Sequence, residues 1–120
     1  MPLISIVDDD ESVRNALKSL IDSVGFRAEV FDSGEKFLNS PYLSQTDCLI
    51  TDVRMPGMSG LELQDRLSAA GRSIPIVFIS AHDDKEARVR GLRAGAIDFL
   101  QKPFSEDSLF GAISVCLDKS

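Results

Sequence analysis

Leu49-Ile50-Thr51-Asp52-Val53-Arg54-Met55-Pro56-Gly57 is an apolar run that stops at a carboxylate and passes at once into turn-forming residues. A short apolar run bounded by Pro and Gly reads as a buried strand leaving a sheet. Open α/β sheets bind ligands beyond the carboxyl ends of their strands, so Asp52 is expected at such a tip. Taken alone, an Asp ahead of a Pro-Gly loop is better explained as a turn cap. Three further apolar runs shift that balance, because each also ends in groups that handle charge. Asp8, Asp9 and Asp10 follow Leu3 to Val7, Ser80 follows 74–79, and Lys102 follows 96–100.

Outward from that strand, short apolar runs alternate with helical periodicity. The first strand is Leu3 to Val7, after which Val13, Leu17, Leu20, Ile21 and Val24 line one helix face, with Gly25 as the stop. Arg27-Ala28-Glu29-Val30-Phe31 alternates polar and apolar residues, the pattern of an edge strand, and a short helix over 34–39 closes at Pro41. The strand ending at Asp52 begins at Cys48, and Ser59-Gly60-Leu61-Glu62 has the spacing of a capping box for the helix that ends near Gly71. The run 74–80 is almost wholly apolar and therefore central, with Pro75 confined to its first positions. Asp83-Asp84-Lys85-Glu86 opens a fourth helix whose apolar anchors are only Ala87, Val89 and Leu92, the most weakly attached of the set. The run 96–101, carrying Asp98 and Gln101, is the other edge; Pro103 breaks it and Ser105 caps a last helix. In that helix Leu109, Ala112, Ile113, Cys116 and Leu117 form a regular apolar stripe. Five βα units give a parallel sheet covered on both faces.

The 120 residues are expected to form one domain over 1–120, large enough to fold without disulfide or metal. Thirteen Lys and Arg against nineteen Asp and Glu leave a net charge of −6, which argues against a nucleic-acid surface. Cys48 and Cys116 sit within apolar segments and read as small core residues, in keeping with a reducing cytoplasm. The first residues, Met1-Pro2-Leu3-Ile4-Ser5, have no basic region, and no apolar run approaches about 18 residues, so neither export nor membrane insertion is indicated.

Two carboxylates about 4 Å apart repel by roughly 4 kcal/mol at an effective dielectric near 20, so gathering Asp8, Asp9 and Asp52 at one sheet edge calls for a bound cation. Oxygen ligands without His or Cys suit Mg²⁺, with Mn²⁺ as the alternative ion. Asp10 and Glu11 are better placed to complement the dipole of the first helix. Lys102 supplies a point charge for phosphate oxygens and the Ser80 hydroxyl one more hydrogen bond. Each is weak evidence alone; the set suits phosphoryl transfer to Asp52. His82, the one histidine, reads as an exposed loop residue.

Val7-Asp8-Asp9, the segment from Thr51 through Asp52-Val53-Arg54-Met55-Pro56-Gly57-Met58 to Ser59-Gly60, Ser80-Ala81, Ala94-Gly95-Ala96 and Lys102-Pro103-Phe104 together resemble the receiver domain of two-component response regulators. The likeness covers essentially the whole chain. It implies the flavodoxin-like (βα)5 fold, a doubly wound three-layer α/β arrangement with strand order 2-1-3-4-5. It implies Asp52 as the phosphoacceptor, loaded by a sensor histidine kinase, and Asp8 and Asp9 as holders of Mg²⁺ with Asp52 and the backbone carbonyl of Arg54. It further implies Lys102 and Ser80 at the phosphoryl group, a cis peptide before Pro103, and Ser80 with Phe99 as a switch pair. Side chains at Arg54 and His82 would flank the acyl phosphate. The family often has Thr and Tyr as the switch pair; Ser80 is a mild change, whereas Phe99 lacks the hydroxyl.

The resemblance makes the chain a phosphorylated switch rather than an enzyme, one that assists its own Mg-dependent phosphorylation and dephosphorylation. Aspartyl-phosphate hydrolases also use an Asp nucleophile and Mg²⁺, but they resemble D-x-D, and Asp52-Val53-Arg54 lacks the second Asp. A dinucleotide or flavin binder would need a phosphate-cradling loop after the first strand, and no G-x-G-x-x-G is present. A degenerate receiver is disfavoured by the intact Asp8, Asp9, Asp52 and Lys102. The wording of Asp98-Phe99-Leu100-Gln101-Lys102-Pro103-Phe104 looks most like receivers joined to a helix-turn-helix transcriptional output domain. A free-standing receiver and a piece of a longer regulator both stay open. The expected consequence of phosphorylation is a switch of the face of the fourth helix, fifth strand and fifth helix, with the fifth helix staying docked, controlling homodimerisation or an output domain, with no nucleic acid touched by this domain itself.

Overall fold

The computed structural model describes residues 1–119. Five parallel strands, β1 (Leu3–Val7), β2 (Arg27–Phe31), β3 (Cys48–Asp52), β4 (Ile76–Ser80) and β5 (Asp98–Gln101), form one sheet in the order β2-β1-β3-β4-β5. Five helices cover it: α1 (Glu11–Ser23), α2 (Gly34–Leu38), α3 (Gly60–Ala69), α4 (Lys85–Arg93) and α5 (Glu106–Lys119). The alternation of runs predicted the parallel sheet covered on both faces, and the order is the flavodoxin-like one that the family resemblance implies. The solidly apolar runs are the three inner strands, buried at every residue, and the two mixed ones, β2 and β5, are the edges.

Period-two alternation splits the core into two layers. Ile4, Ile6, Ile50, Val77 and Ile79 face α1 and α5, meeting Leu17, Ile21, Leu109 and Ile113. Val7, Leu49 and Phe78 face the other way, meeting Phe37, Leu63 and Leu67 of α2 and α3. Cys48 and Cys116 are both buried and free. A hydrogen bond to Cys116, together with burial, pushes the Cys48 thiol far above its ordinary pKa, which makes it an unreactive core thiol.

The helix starts are set by local caps. Ser59 and Glu62 form the capping box at the start of α3, Asp10 caps α1, and the Ser105 hydroxyl accepts from Ser108 N–H at 3.0 Å. Several boundaries differ. β4 starts at Ile76, because Pro75 has no N–H to donate and contributes only its carbonyl, which accepts from Leu49 N–H at 2.9 Å. β5 starts at Asp98 rather than 96, and a 3-10 turn, Leu43–Gln45, follows α2. Val24 is the exposed C-cap residue of α1 and not part of its buried face. On α4, Val89 and Leu92 are 47% and 41% exposed, so of the three expected anchors only Ala87 is buried. What holds α4 instead is close approach: Gly91 is buried against the Phe78 ring, and Gln64 Nε2 donates to Gly91 O at 3.0 Å. Among the described residues no helix is long and apolar enough to cross a membrane.

Candidate functional site

The register that pairs Val7 with Thr51, Asp52 with Ile79 and Ser80 with Gln101 ends β1, β3, β4 and β5 at one edge of the sheet. Asp8 stands just past β1, fully buried, and its Oδ1 accepts from Asp10 N–H at 2.9 Å. Asp9 beside it is exposed. Asp52 closes β3 with only 9% of its surface exposed, and its Oδ1 accepts from Val53 N–H at 2.8 Å. One oxygen from each of Asp8, Asp9 and Asp52 lies within 4.8 Å of the others. Asp10 is turned away, its carboxylate accepting from the amides of Ser12 and Val13 at 2.8 and 3.4 Å.

Lys102 reaches this group from beyond β5. Its Nζ donates to Asp8 Oδ2 at 3.1 Å and stands 3.6 Å from Asp52 Oδ2, an ion pair rather than a hydrogen bond. Two of the three carboxylates thus share one ammonium. Burial first, then the charge of Asp8, raise the Asp52 carboxyl above its ordinary pKa, and Lys102 with the Val53 and Arg54 amides offsets only part of this. An all-oxygen cluster with surplus negative charge fits a hard divalent cation such as Mg²⁺, which the three carboxylates would hold.

Ser80 is fully buried at the tip of β4, and its hydroxyl is already engaged: Oγ donates to His82 O at 3.0 Å and accepts from His82 N–H at 3.1 Å. The serine expected to serve a phosphate therefore has to leave its own loop first. His82 is exposed, as read from the sequence. Phe99 is buried, 6.1 Å from the Phe78 ring, with the Arg88 guanidinium 5.4 Å over its face. The ring that the resemblance moves inward with the hydroxyl is thus under cover here. The Lys102–Pro103 peptide is cis.

Two participants were not legible as such. Gly60 opens α3 directly against the tip of β3: its N–H donates to Val53 O at 2.9 Å, and a methyl group on it would overlap the Asp52 carbonyl oxygen. The capping-box spacing marked the helix start but carried no signal of this approach. Asp84 was visible only as part of an acidic helix start, whereas it also receives the Arg54 guanidinium at 2.7 Å. A pairing between residues thirty positions apart leaves no local trace.

The chain is similar in sequence and fold to known proteins. The model of the response regulator receiver domain matches residues 4–114. The response regulator protein TmoT of Ectopseudomonas mendocina is 50% identical over 115 residues, covering 96% of this chain and 52% of TmoT. The transcriptional regulatory protein FixJ of Bradyrhizobium diazoefficiens is 41% identical over 111 residues, covering 92% of this chain and 54% of FixJ. Among solved structures, the response regulator StyR superposes with a TM-score of 0.92 at 50% identity over 98% of this chain and 60% of that one. FixJ-N gives 0.90 at 34% identity, covering 100% of this chain and 96% of that one. The chain spans about half the length of TmoT and FixJ. By sequence, by strand order and by the acidic group at the strand tips, the chain belongs to the response regulator receiver domain family.

Proposed function

We propose that this domain accepts a phosphoryl group on Asp52 from a sensor histidine kinase in a Mg-dependent reaction and passes the change to an output that regulates transcription. The observation that carries the reading is the Asp8, Asp9 and Asp52 group within 4.8 Å, with Lys102 bridging Asp8 and Asp52. An Asp52 oxygen attacks the phosphorus of a phosphohistidine; the O–P bond forms as the P–N bond breaks, and the imidazole nitrogen keeps the electron pair. Asp8, Asp9, Asp52 and the Arg54 carbonyl would hold the metal, and Mg²⁺, or Mn²⁺ in its place, would supply positive charge against the phosphoryl oxygens. Lys102 exchanges its carboxylate partners for a phosphoryl oxygen, and Ser80 turns from the His82 backbone to donate another hydrogen bond. Phe99 then repacks beneath α4.

The domain is a signalling switch that assists its own loading and hydrolysis rather than an enzyme with a substrate of its own. Its partners are the kinase, an output domain that regulates transcription, in keeping with the name of the transcriptional regulatory protein FixJ, and a second copy of itself once phosphorylated. The site of action is the cytoplasm, and DNA contact belongs to the output domain. Incubation with Mg²⁺ and acetyl phosphate followed by intact mass tests the reading. One phosphoryl group should add to the parent and none to Asp52→Asn; equal modification of both would reject Asp52.

A further inference from the structure

Arg54 lies two residues past Asp52, and its guanidinium donates to Asp84 Oδ2 at 2.7 Å. The other oxygen of the same carboxylate, Asp84 Oδ1, accepts from Ala87 N–H at 3.0 Å and caps α4. One side chain thus starts the helix and holds the arginine that follows the strand tip. The Ala87 amide, and with it the Arg54 guanidinium, keeps the Asp84 carboxyl below its ordinary pKa, so it is ionised at neutral pH. The pair is unequal in freedom: the Arg54 side chain is 62% exposed and that of Asp84 19%. The arginine is the member that can turn.

We propose that Arg54 changes partners on phosphorylation, its guanidinium leaving Asp84 for the phosphoryl oxygens on Asp52 and so untying the first turn of α4 from the segment that follows β3. This rests on Asp52 as phosphoacceptor. No covalent bond changes in the exchange. A phosphoryl group offers about −1.5 to −2 charge and three acceptor oxygens against the single charge of a carboxylate, and guanidinium binds it bidentately. The pair it replaces is open to solvent on its arginine side, and solvent screening weakens such a contact. Asp84 keeps its bond to the Ala87 amide but loses its tie to the site. The loss matters here because Val89 and Leu92 are exposed and leave α4 few apolar anchors.

Beryllium fluoride with Mg²⁺ serves as the phosphoryl mimic, with its affinity measured by titration and amide exchange followed over 85–88. Asp84→Asn keeps an oxygen for the Ala87 amide but gives up the charge that holds Arg54. Arg54→Ala keeps the backbone carbonyl. Competition demands opposite signs: Asp84→Asn should bind the mimic several-fold more tightly and Arg54→Ala several-fold more weakly. Adding Asp84→Asn to Arg54→Ala should then change little. In the parent the mimic should speed exchange over 85–88, whereas in Arg54→Ala exchange should be fast with or without it. Tightening by Asp84→Asn that is equal with and without Arg54 would mark a long-range charge effect and overturn the proposal. So would an Arg54→Ala protein whose exchange responds to the mimic as the parent does. A parent that binds no mimic and takes no phosphate from acetyl phosphate would instead remove the phosphoacceptor reading, a result that depends on neither variant.

Discussion

Asp52 is held in an environment that disfavours its own charge, by burial and by Asp8, with Lys102 3.6 Å away as partial relief. Its folded-state pKa is raised, so its contribution to folding is fully present below the ordinary carboxylate pKa and is lost as pH rises through the raised value. Asp52→Asn, neutral throughout, should therefore melt above the metal-free parent at neutral pH. Melts carried down toward about pH 4 should show the gap closing as the parent carboxyl protonates; a gap that widens on acidification contradicts the assignment. Asp9, exposed at the rim of the same group, is expected to matter to a bound metal more than to the fold. Asp9→Ala is expected to leave the metal-free melting point unchanged or slightly raised and to lose most of the Mg²⁺-dependent increase. Retention of the parent's full increase would remove Asp9 from the ligand set. These carboxylates were legible in the sequence because each ends an apolar run, and the run itself dictates where the charge must stand.

At the scale of elements, legibility followed the range of the interaction. Central and edge strands were readable because burial on both faces writes a continuous apolar run, as in Ile76–Ser80, and edge position writes alternation, as in Arg27–Phe31, whereas the full strand order came from the family resemblance. Helix starts were readable because a cap is a four-residue device, as at Ser59 and Glu62. The weak attachment of α4 was legible but two of its three anchors were not, since Val89 and Leu92 have the right hydropathy but face solvent. The true contacts come from a glycine and from polar groups on other elements: Gly91 beneath Phe78, Gln64 on the Gly91 carbonyl, and Arg90 on Asp65 at 2.6 Å. Gly91→Ala distinguishes the two accounts. Alanine would favour the helix by about 1 kcal/mol, but its Cβ would stand 2.8 Å from Cε2 of the fully buried Phe78 ring. Overpacking of this kind costs about 1–3 kcal/mol, so the variant should lose stability and exchange faster across α4. A more stable variant would mean that the α4 contact is not close-packed.

For the whole molecule, the consequence of phosphorylation follows from the uneven anchoring of its two outer helices. α5 buries Leu109, Ala112, Ile113 and Cys116 against the sheet, whereas α4 presents Val89 and Leu92 outward and is tied by polar contacts. A shift from 1:99 to 99:1 between two arrangements needs roughly 5.5 kcal/mol of differential interaction, within reach of new charge-assisted contacts from Lys102, Ser80, Arg54 and the metal acting together. The face of α4 and β5 should change and self-association follow. Sedimentation with beryllium fluoride and Mg²⁺ should show a dimer where the untreated protein sediments as a smaller species; unchanged sedimentation would leave α4 and β5 as a surface for another partner only. All of this depends on one bond, between phosphorus and an Asp52 oxygen. Borohydride reduction of acetyl phosphate-treated protein, which converts an aspartyl phosphate to homoserine, followed by peptide mass mapping, reads that bond's position directly. Conversion at residue 52 and at no other carboxylate is the predicted result, and conversion at Asp8 or Asp9, or at none, would contradict it.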